Sequence, residues 1–264
     1  MLFEDLFAIS LIPGVGDKTL KKASEFITAN ALLNASDDEL ADVFPTKKAA
    51  DIFCTSFDDF RALAKQKRQQ LMQMGAVILH RDNSKYPQRL LTNPDHPVFL
   101  YCLGDPEMLN NRASAAISGP RKPSQAGIEN AKRTAISLNS HGITVISGLA
   151  TGIDTAAHSA CLESGNTIAV LPFLTPVYPP QNEALCNKII EKNGCVIAPS
   201  IEQFNIKFQL LHRDKVIIGM SDSLYVPDAF ASDSGTAYTV NYALNHSKAV
   251  YLYKNGRYTK ATNS

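Results

Sequence analysis

From residue 1 to about 75, apolar positions recur three and four apart, with punctuation only at Pro13-Gly14 and Pro45, so the pattern predicts helices throughout. The texture changes at Ala76. Residues 76–80 and 98–103 are short β-rich runs joined by Asp-, Asn- and Pro-rich connections, which puts a boundary near residue 75. After residues 113–118, apolar runs follow at about 143–146, 166–171, 195–198, 223–227 and 248–253, with helical stretches between most of them. That alternation predicts an α/β fold with a doubly wound, mostly parallel sheet over residues 76–264, preceded by a small helical domain. The helix after Pro123 gives the clearest signal: Ser124 caps it, Ile128, Ala131, Ala135 and Leu138 form its buried stripe, and Gly142 ends it.

The stretch 144–158, Thr-Val-Ile-Ser-Gly-Leu-Ala-Thr-Gly-Ile-Asp-Thr-Ala-Ala-His, reads as strand, glycine loop and helix. Val145 and Ile146 suit a buried strand, while Gly148 and Gly152 allow a sharp turn and close approach to a ligand. Ile153, Ala156, Ala157, Ala160 and Cys161 make one apolar stripe, and Gly165 is placed to end the helix. Such a junction offers backbone N–H groups and a helix dipole to an anion, so a phosphate-bearing ligand is expected there.

Composition narrows the partners. The chain has 264 residues, 45% of them hydrophobic, which is enough for a sizeable core. A formal net charge of +1 excludes a protein that is basic all over, so any nucleic-acid contact must come from a local patch. The five cysteines are scattered, without a Cys-x-x-Cys pair or a His cluster at ligand spacing, and read as reduced core thiols with no metal site. No signal-peptide pattern and no apolar run of roughly 20 residues are found, so the expectation is a cytoplasmic protein with no membrane partner.

Open α/β sheets bind ligands at the carboxyl ends of their strands, and the residues following each run supply the candidates. After the first parallel strand come Gly119, Arg121, Lys122 and Ser124; after the second come Ser147, with its hydroxyl as a phosphate donor, Gly148 and Gly152. Lys207, Phe208, Arg213 and Lys215 form a cation-rich run with Phe204, suited to neutralising phosphates while an aromatic ring stacks on a base, or else to an ordinary core pair of phenylalanines. Ser234, Gly235 and Thr236 are a second helix-start anion site or a good cap. Neither glycine stretch matches a nucleotide-binding fingerprint, which disfavours ATP and NAD as cofactors. Asp154 and His158, four apart on a helix, are an acid-base pair or, more simply, a helix-start carboxylate and a satisfied core histidine. Ser147 lacks a nucleophile-elbow pattern, so no catalytic residue is assigned.

These residues resemble the DNA-processing protein A (DprA/Smf) family. The likeness runs through Asp82, Tyr86-Pro87 and Leu90, residues 117–124, 145–158 and 165–171, Tyr178-Pro179, residues 217–221 and Ser234-Gly235, and covers about residues 76–253. The resemblance implies an extended Rossmann-like fold that binds single-stranded DNA without a cofactor and helps to load a RecA-type recombinase during DNA uptake, as a homodimer. Residues 11–16, Leu-Ile-Pro-Gly-Val-Gly, likewise resemble a helix-hairpin-helix turn, with tight helix packing as the other reading. The sequence departs from the DprA pattern at Gly119-Pro120-Arg121, where Gly-Ser-Arg is usual, and at Arg213-Asp214-Lys215, where Arg-Asn-Arg is usual. Two other readings compete with DNA binding: a Rossmann-like protein that binds or hydrolyses a nucleotide derivative, with Ser234, Gly235 and Thr236 on its phosphate and Asp154 or Asp228 as acid or base, and a DprA-like protein with altered DNA binding, suggested by Asp214.

Overall fold

A computed structural model describes the chain apart from residues 111–112, 164–165 and 263–264. It divides into two compact units, Met1–His80 and Arg81–Ser264.

The first unit contains α1 (Phe3–Ser10), α2 (Asp17–Ala23), α3 (Ala29–Leu33), α4 (Asp37–Val43), α5 (Lys47–Gln73) and the short strand β1 (Val77–His80). Local chemistry sets the helix starts. Ser36 and Glu39 form a reciprocal capping box at α4, and the Thr46 hydroxyl accepts from the Ala49 N–H at α5. Phe44, Phe53 and Phe57 are buried together, with Phe53 ring centroids 5.1 and 4.8 Å from those of Phe44 and Phe57. Between α1 and α2 the chain turns at Gly14, whose φ of +86° lies in the left-handed region. Lys22 on α2 is held by the carbonyl and carboxylate of Asp42, 2.7 and 2.6 Å away.

The second unit carries the sheet. Its strands are β2 (Phe99–Gly104), β3 (Ser114–Ile117), β4 (Thr144–Ser147), β5 (Thr167–Val170), β6 (Cys195–Ala198), β7 (Ser223–Val226), β8 (Ala249–Lys254) and β9 (Arg257–Lys260), lying side by side in the order β2-β6-β5-β4-β3-β7-β8-β9. The pairs from β6 to β8 are parallel, and β2 and β9 join antiparallel at either side. The central strands β3 to β6 are buried along their whole length, as expected of parallel strands covered on both faces.

The connections explain that cover. The helices α6 (Gln125–Ser140), α7 (Ile153–Cys161) and α8 (Glu183–Glu191) follow β3, β4 and β5, while α9 (Ile206–Met220) and α10 (Gly235–Asn245) follow β6 and β7. Because the chain steps from β3 outward to β6 and then returns to β7 on the other side of β3, the two helix groups lie on opposite faces and the strand order reverses beside β3. The Ser124 hydroxyl caps α6 by accepting from the Gly127 N–H at 2.9 Å, and Gly142, at φ +71°, follows its end. Ala131, Ala135 and Leu138 of α6 meet Ile153, Ala156, Ala157 and Cys161 of α7 in one buried cluster over Ala115, Ile117 and Val145. Gly165, expected to end α7, lies outside the described residues. No helix among the described residues is long and apolar enough to cross a membrane.

Candidate nucleic-acid interface

The carboxyl ends of β3, β4 and β7 bring residues 118–124, 148–152 and 227–236 to one edge of the sheet, around the point where the strand order reverses. Backbone packs directly on backbone there. A Cβ at Gly152, whose φ is +86°, would stand 2.5 Å from the Pro120 carbonyl oxygen, and the Pro120 carbonyl accepts the Ile153 N–H at 3.4 Å. A Cβ at Gly148 would collide with the guanidinium of Arg213. The glycines therefore serve the contact between two loops and an arginine as much as any approach to a ligand.

The loop after β4 already holds an anion, its own. Asp154 is buried, and its Oδ2 accepts the N–H groups of Gly148 and Ala150, both at 3.2 Å. Burial pushes the Asp154 carboxyl up to about 6, against the opposing pull of the Arg213 charge and the Ala150 N–H. Arg213, from the middle of α9, is buried beneath the same loop and donates through Nη1 to the carbonyls of Gly148 and Val170, the latter at 3.2 Å. Its Nε lies 2.8 Å from Asp214 Oδ1, an ion pair whose alignment falls short of a hydrogen bond. Asn182, the residue just before α8, fastens the loop by donating to the Leu149 carbonyl at 2.7 Å and to the Thr155 hydroxyl at 2.9 Å. Among the described residues the Thr151 and Gly152 N–H groups have no hydrogen-bond partner, and they are what the loop offers outward.

This geometry changes several expectations. Ser147 is no phosphate donor: it is fully buried and its hydroxyl donates to the Ile117 carbonyl at 2.6 Å, because the last residue of a central strand points into the protein. Gly148 is buried, with its N–H spent on Asp154. Arg213 belongs to the scaffold under the loop, since three oxygens, the Gly148 and Val170 carbonyls and the Asp214 carboxylate, reward an inward guanidinium. Lys215 turns away, 2.7 Å from Asp95 and above the Tyr242 ring, one residue pair along α9 from Arg213 and on a different side of it. Ser124 is engaged too, its N–H and hydroxyl donating to Asp228 at 2.7 and 3.0 Å. Ser234 caps α10 by accepting from the Ala237 N–H, and Thr236 is buried beside it while Gly235 is exposed.

Asp154 and His158 make no hydrogen bond to each other. His158 is buried, its Nδ1 is 2.8 Å from the Thr167 hydroxyl, and burial pushes it down to about 4, so it is a neutral core residue near neutral pH. Asp214, at the outer end of the Arg213 pair, is raised by burial and held down chiefly by Arg213, with help from the Thr239 hydroxyl and, more weakly, the Arg121 charge.

Three cations remain open at this edge. Arg121 and Lys122 are exposed in the loop after β3, and Lys207 is exposed in the first turn of α9; none forms a salt bridge among the described residues. Beside Lys207, Phe204 and Phe208 are 69% and 54% exposed with ring centroids 6.0 Å apart, which settles their two readings in favour of a surface pair. A residue overlooked in the sequence fixes them: buried Gln209 accepts the N–H groups of Phe204 and Asn205 at 3.0 and 3.2 Å and donates to the Glu202 carbonyl at 2.9 Å. Asp228, an acid or base in the nucleotide-derivative reading, is the clasp between the β7 end and the start of α6.

A doubly wound sheet with polar loops gathered at its switch point is the architecture of an α/β ligand-binding protein. The comparisons place it more narrowly: the family model for DNA recombination-mediator protein A matches residues 77–264, and the chain belongs to that family. Protein Smf from Synechocystis sp. is 32% identical over 191 residues, covering 69% of this chain and 47% of that protein. Protein Smf from Borreliella burgdorferi is 28% identical, covering 77% of this chain and 68% of that one. The chain thus spans about half the length of the first of these relatives. Among solved structures, DNA processing protein A from Streptococcus pneumoniae shares the fold with a TM-score of 0.79 over 96% of this chain and 86% of its own, at 22% identity. DNA processing protein A from Helicobacter pylori, studied for its single-stranded DNA binding mode, superposes with a TM-score of 0.61 at 26% identity, over 69% of this chain and 83% of its own.

Proposed function

We propose that this chain binds single-stranded DNA along the carboxyl edge of its sheet, without catalysing a reaction on it. In this reading it is a homodimeric cytoplasmic mediator that delivers the strand to a RecA-type recombinase; the family's description as a DNA recombination mediator and the single-stranded DNA binding of the Helicobacter pylori relative support its mediator and DNA-binding parts. The observation that carries the proposal is the set of open groups at that edge: Arg121, Lys122 and Lys207, exposed and in no salt bridge among the described residues, with the exposed Phe204 and Phe208 beside Lys207. Cations there neutralise backbone phosphates, and exposed rings give bases a sequence-tolerant stacking surface. Of the candidates, Gly119, Arg121, Lys122, Gly152, Lys207, Phe208 and Gly235 line the accessible edge, while Ser124, Ser147, Gly148, Arg213, Lys215, Ser234 and Thr236 hold its framework. The nucleotide-derivative reading is weaker because the Ser234 hydroxyl that it puts on the phosphate caps α10, Thr236 is buried, and the carboxylates that it makes acid or base are engaged, Asp154 with the Gly148 and Ala150 N–H groups and Asp228 with Ser124.

Anisotropy of a labelled oligothymidylate, titrated with the full chain across a range of salt, tests the proposal. Affinity should fall as salt rises, and Arg121→Ala should bind several-fold more weakly with its fold intact. Affinity that ignores both salt and the substitution would overturn it.

A further inference from the structure

Away from the carboxyl edge, the sheet face at β7–β9 is paved with tyrosines. Alternation puts Tyr225 of β7, Tyr251 and Tyr253 of β8 and Tyr258 of β9 on one side, and the strand registers pair Tyr225 with Tyr251 and Tyr253 with Tyr258. The rings form a continuous set: Tyr225 stacks on Tyr251 at 4.9 Å, and Tyr258 stands edge-on to Tyr225 and Tyr253, at 5.2 Å from each. All four are only partly buried, so α6 flanks this face without covering it.

Between the tyrosines and α6 lies a cavity of about 290 Å³, near the lower end of the roughly 300–1,000 Å³ usual for small-ligand sites. Its helix wall is the stripe Asn130, Arg133, Thr134 and Ser137, spaced three and four apart on one face. The wall is ordered by its own bonds. Thr134 and Tyr258 share a hydrogen bond between hydroxyls at 2.7 Å, and Arg133 donates to Asn130 Oδ1 at 2.7 Å while Asn130 donates to the Pro227 carbonyl at 3.2 Å. Arg133 is exposed and forms no salt bridge among the described residues, and no carboxylate lines the cavity. The neighbouring hairpin adds Lys254, Arg257 and Lys260, all exposed and also without a salt bridge among the described residues.

We propose that this groove is a second binding site, for a nucleobase carrying a phosphate: the tyrosine rings take the base and Arg133 takes the phosphate. An aromatic face satisfies any planar ring, but a guanidinium held by an amide, with no carboxylate lining the cavity and Glu129 one turn earlier paired to Lys132, selects an anion among aromatic ligands. The site lies further along α6 than the edge formed by Arg121 and Lys207 and extends over β8 and β9, although it shares β7 with that edge and touches it through the Asn130–Pro227 bond. Its ligand is either a free mononucleotide or one nucleotide of a longer strand.

Calorimetric titration of the full chain with deoxyadenosine monophosphate tests this. Wild type should bind, Arg133→Gln should bind at least tenfold more weakly, and Ser137→Phe, which fills the groove from the exposed side of α6, should abolish binding without touching the core. Deoxyadenosine should bind more weakly than its monophosphate to wild type and equally to wild type and Arg133→Gln. Arg121→Ala should leave these values unchanged. If an oligothymidylate displaces the mononucleotide from Arg121→Ala, the groove takes nucleotides of a strand; if it does not, the groove takes free mononucleotides. Absence of binding by wild type, equal binding by Ser137→Phe, or loss of binding in Arg121→Ala alone would overturn the proposal.

Discussion

Asp154 and His158 sit one turn apart on α7 and oppose each other in their effect on stability. The Asp154 carboxyl is raised from 3.8 to about 6, so the folded chain holds that proton more tightly than the unfolded chain, and its contribution to stability shrinks as pH rises through this window. His158 is lowered from 6.5 to about 4, so the unfolded chain takes up that proton first, and stability is lost as pH falls through the same region. Each effect is worth about 3 kcal/mol, and in the wild type they nearly cancel. Asp154→Asn should therefore leave stability rising from pH 4 to 6.5, and His158→Gln should leave it falling from pH 4 to 6, as read by urea unfolding along a pH series. Two slopes of the same sign would contradict the burial of one partner. At Gly148 a Cβ meets the Arg213 guanidinium instead of solvent, so Gly148→Ala should cost about 1–3 kcal/mol in the same measurement. The sequence disclosed the glycines but not this reason for them, because a residue's tightest neighbour can lie far along the chain.

At the scale of elements, α9 shows what a run of cations becomes once it is wound into a helix. Lys207 stays in solvent, Arg213 goes under the glycine loop and Lys215 goes to Asp95, so three charges that are close in sequence leave in three directions. Arg213 joins β4, β5 and α9 by donating to carbonyls on two strand ends, and its removal strands Asp214 in a buried position. Arg213→Leu should destabilise the chain by about 3–5 kcal/mol, and the double variant with Asp214→Asn should be less destabilised than Arg213→Leu alone, because the uncompensated charge is then gone. Equal destabilisation would mean that the two carbonyls, not Asp214, carry the cost. Elements with a repeating apolar signal were legible beforehand: α6 starts at its Ser124 cap and ends before Gly142, and β4 to β8 fall on the apolar runs. β9 was not anticipated, since Arg-Tyr-Thr-Lys has no apolar run. The turn before it carried the missing signal: Asn255 and Gly256, at φ +50° and +80°, are the residue pair that favours a two-residue hairpin.

For the whole molecule, a formal net charge of +1 means that no global field draws a polyanion to the surface, so affinity depends on the few cations the fold leaves open. The sequence could supply the family and the sheet, but it counted Arg213 and Lys215 among those cations, and only their burial and pairing remove them. With Arg121, Lys122 and Lys207 as the phosphate contacts, the logarithm of the single-strand binding constant should fall with the logarithm of salt at a slope of about −2. Arg121→Ala and Lys122→Ala should each reduce that slope by about 0.7, whereas Lys215→Ala should leave it unchanged. Anisotropy titrations of one oligonucleotide at four salt concentrations give all of these slopes. A wild-type slope several times steeper, or a loss on Lys215→Ala, would require a longer cationic track than the sheet edge provides and would move the DNA path toward the face that carries Lys215 and Tyr242.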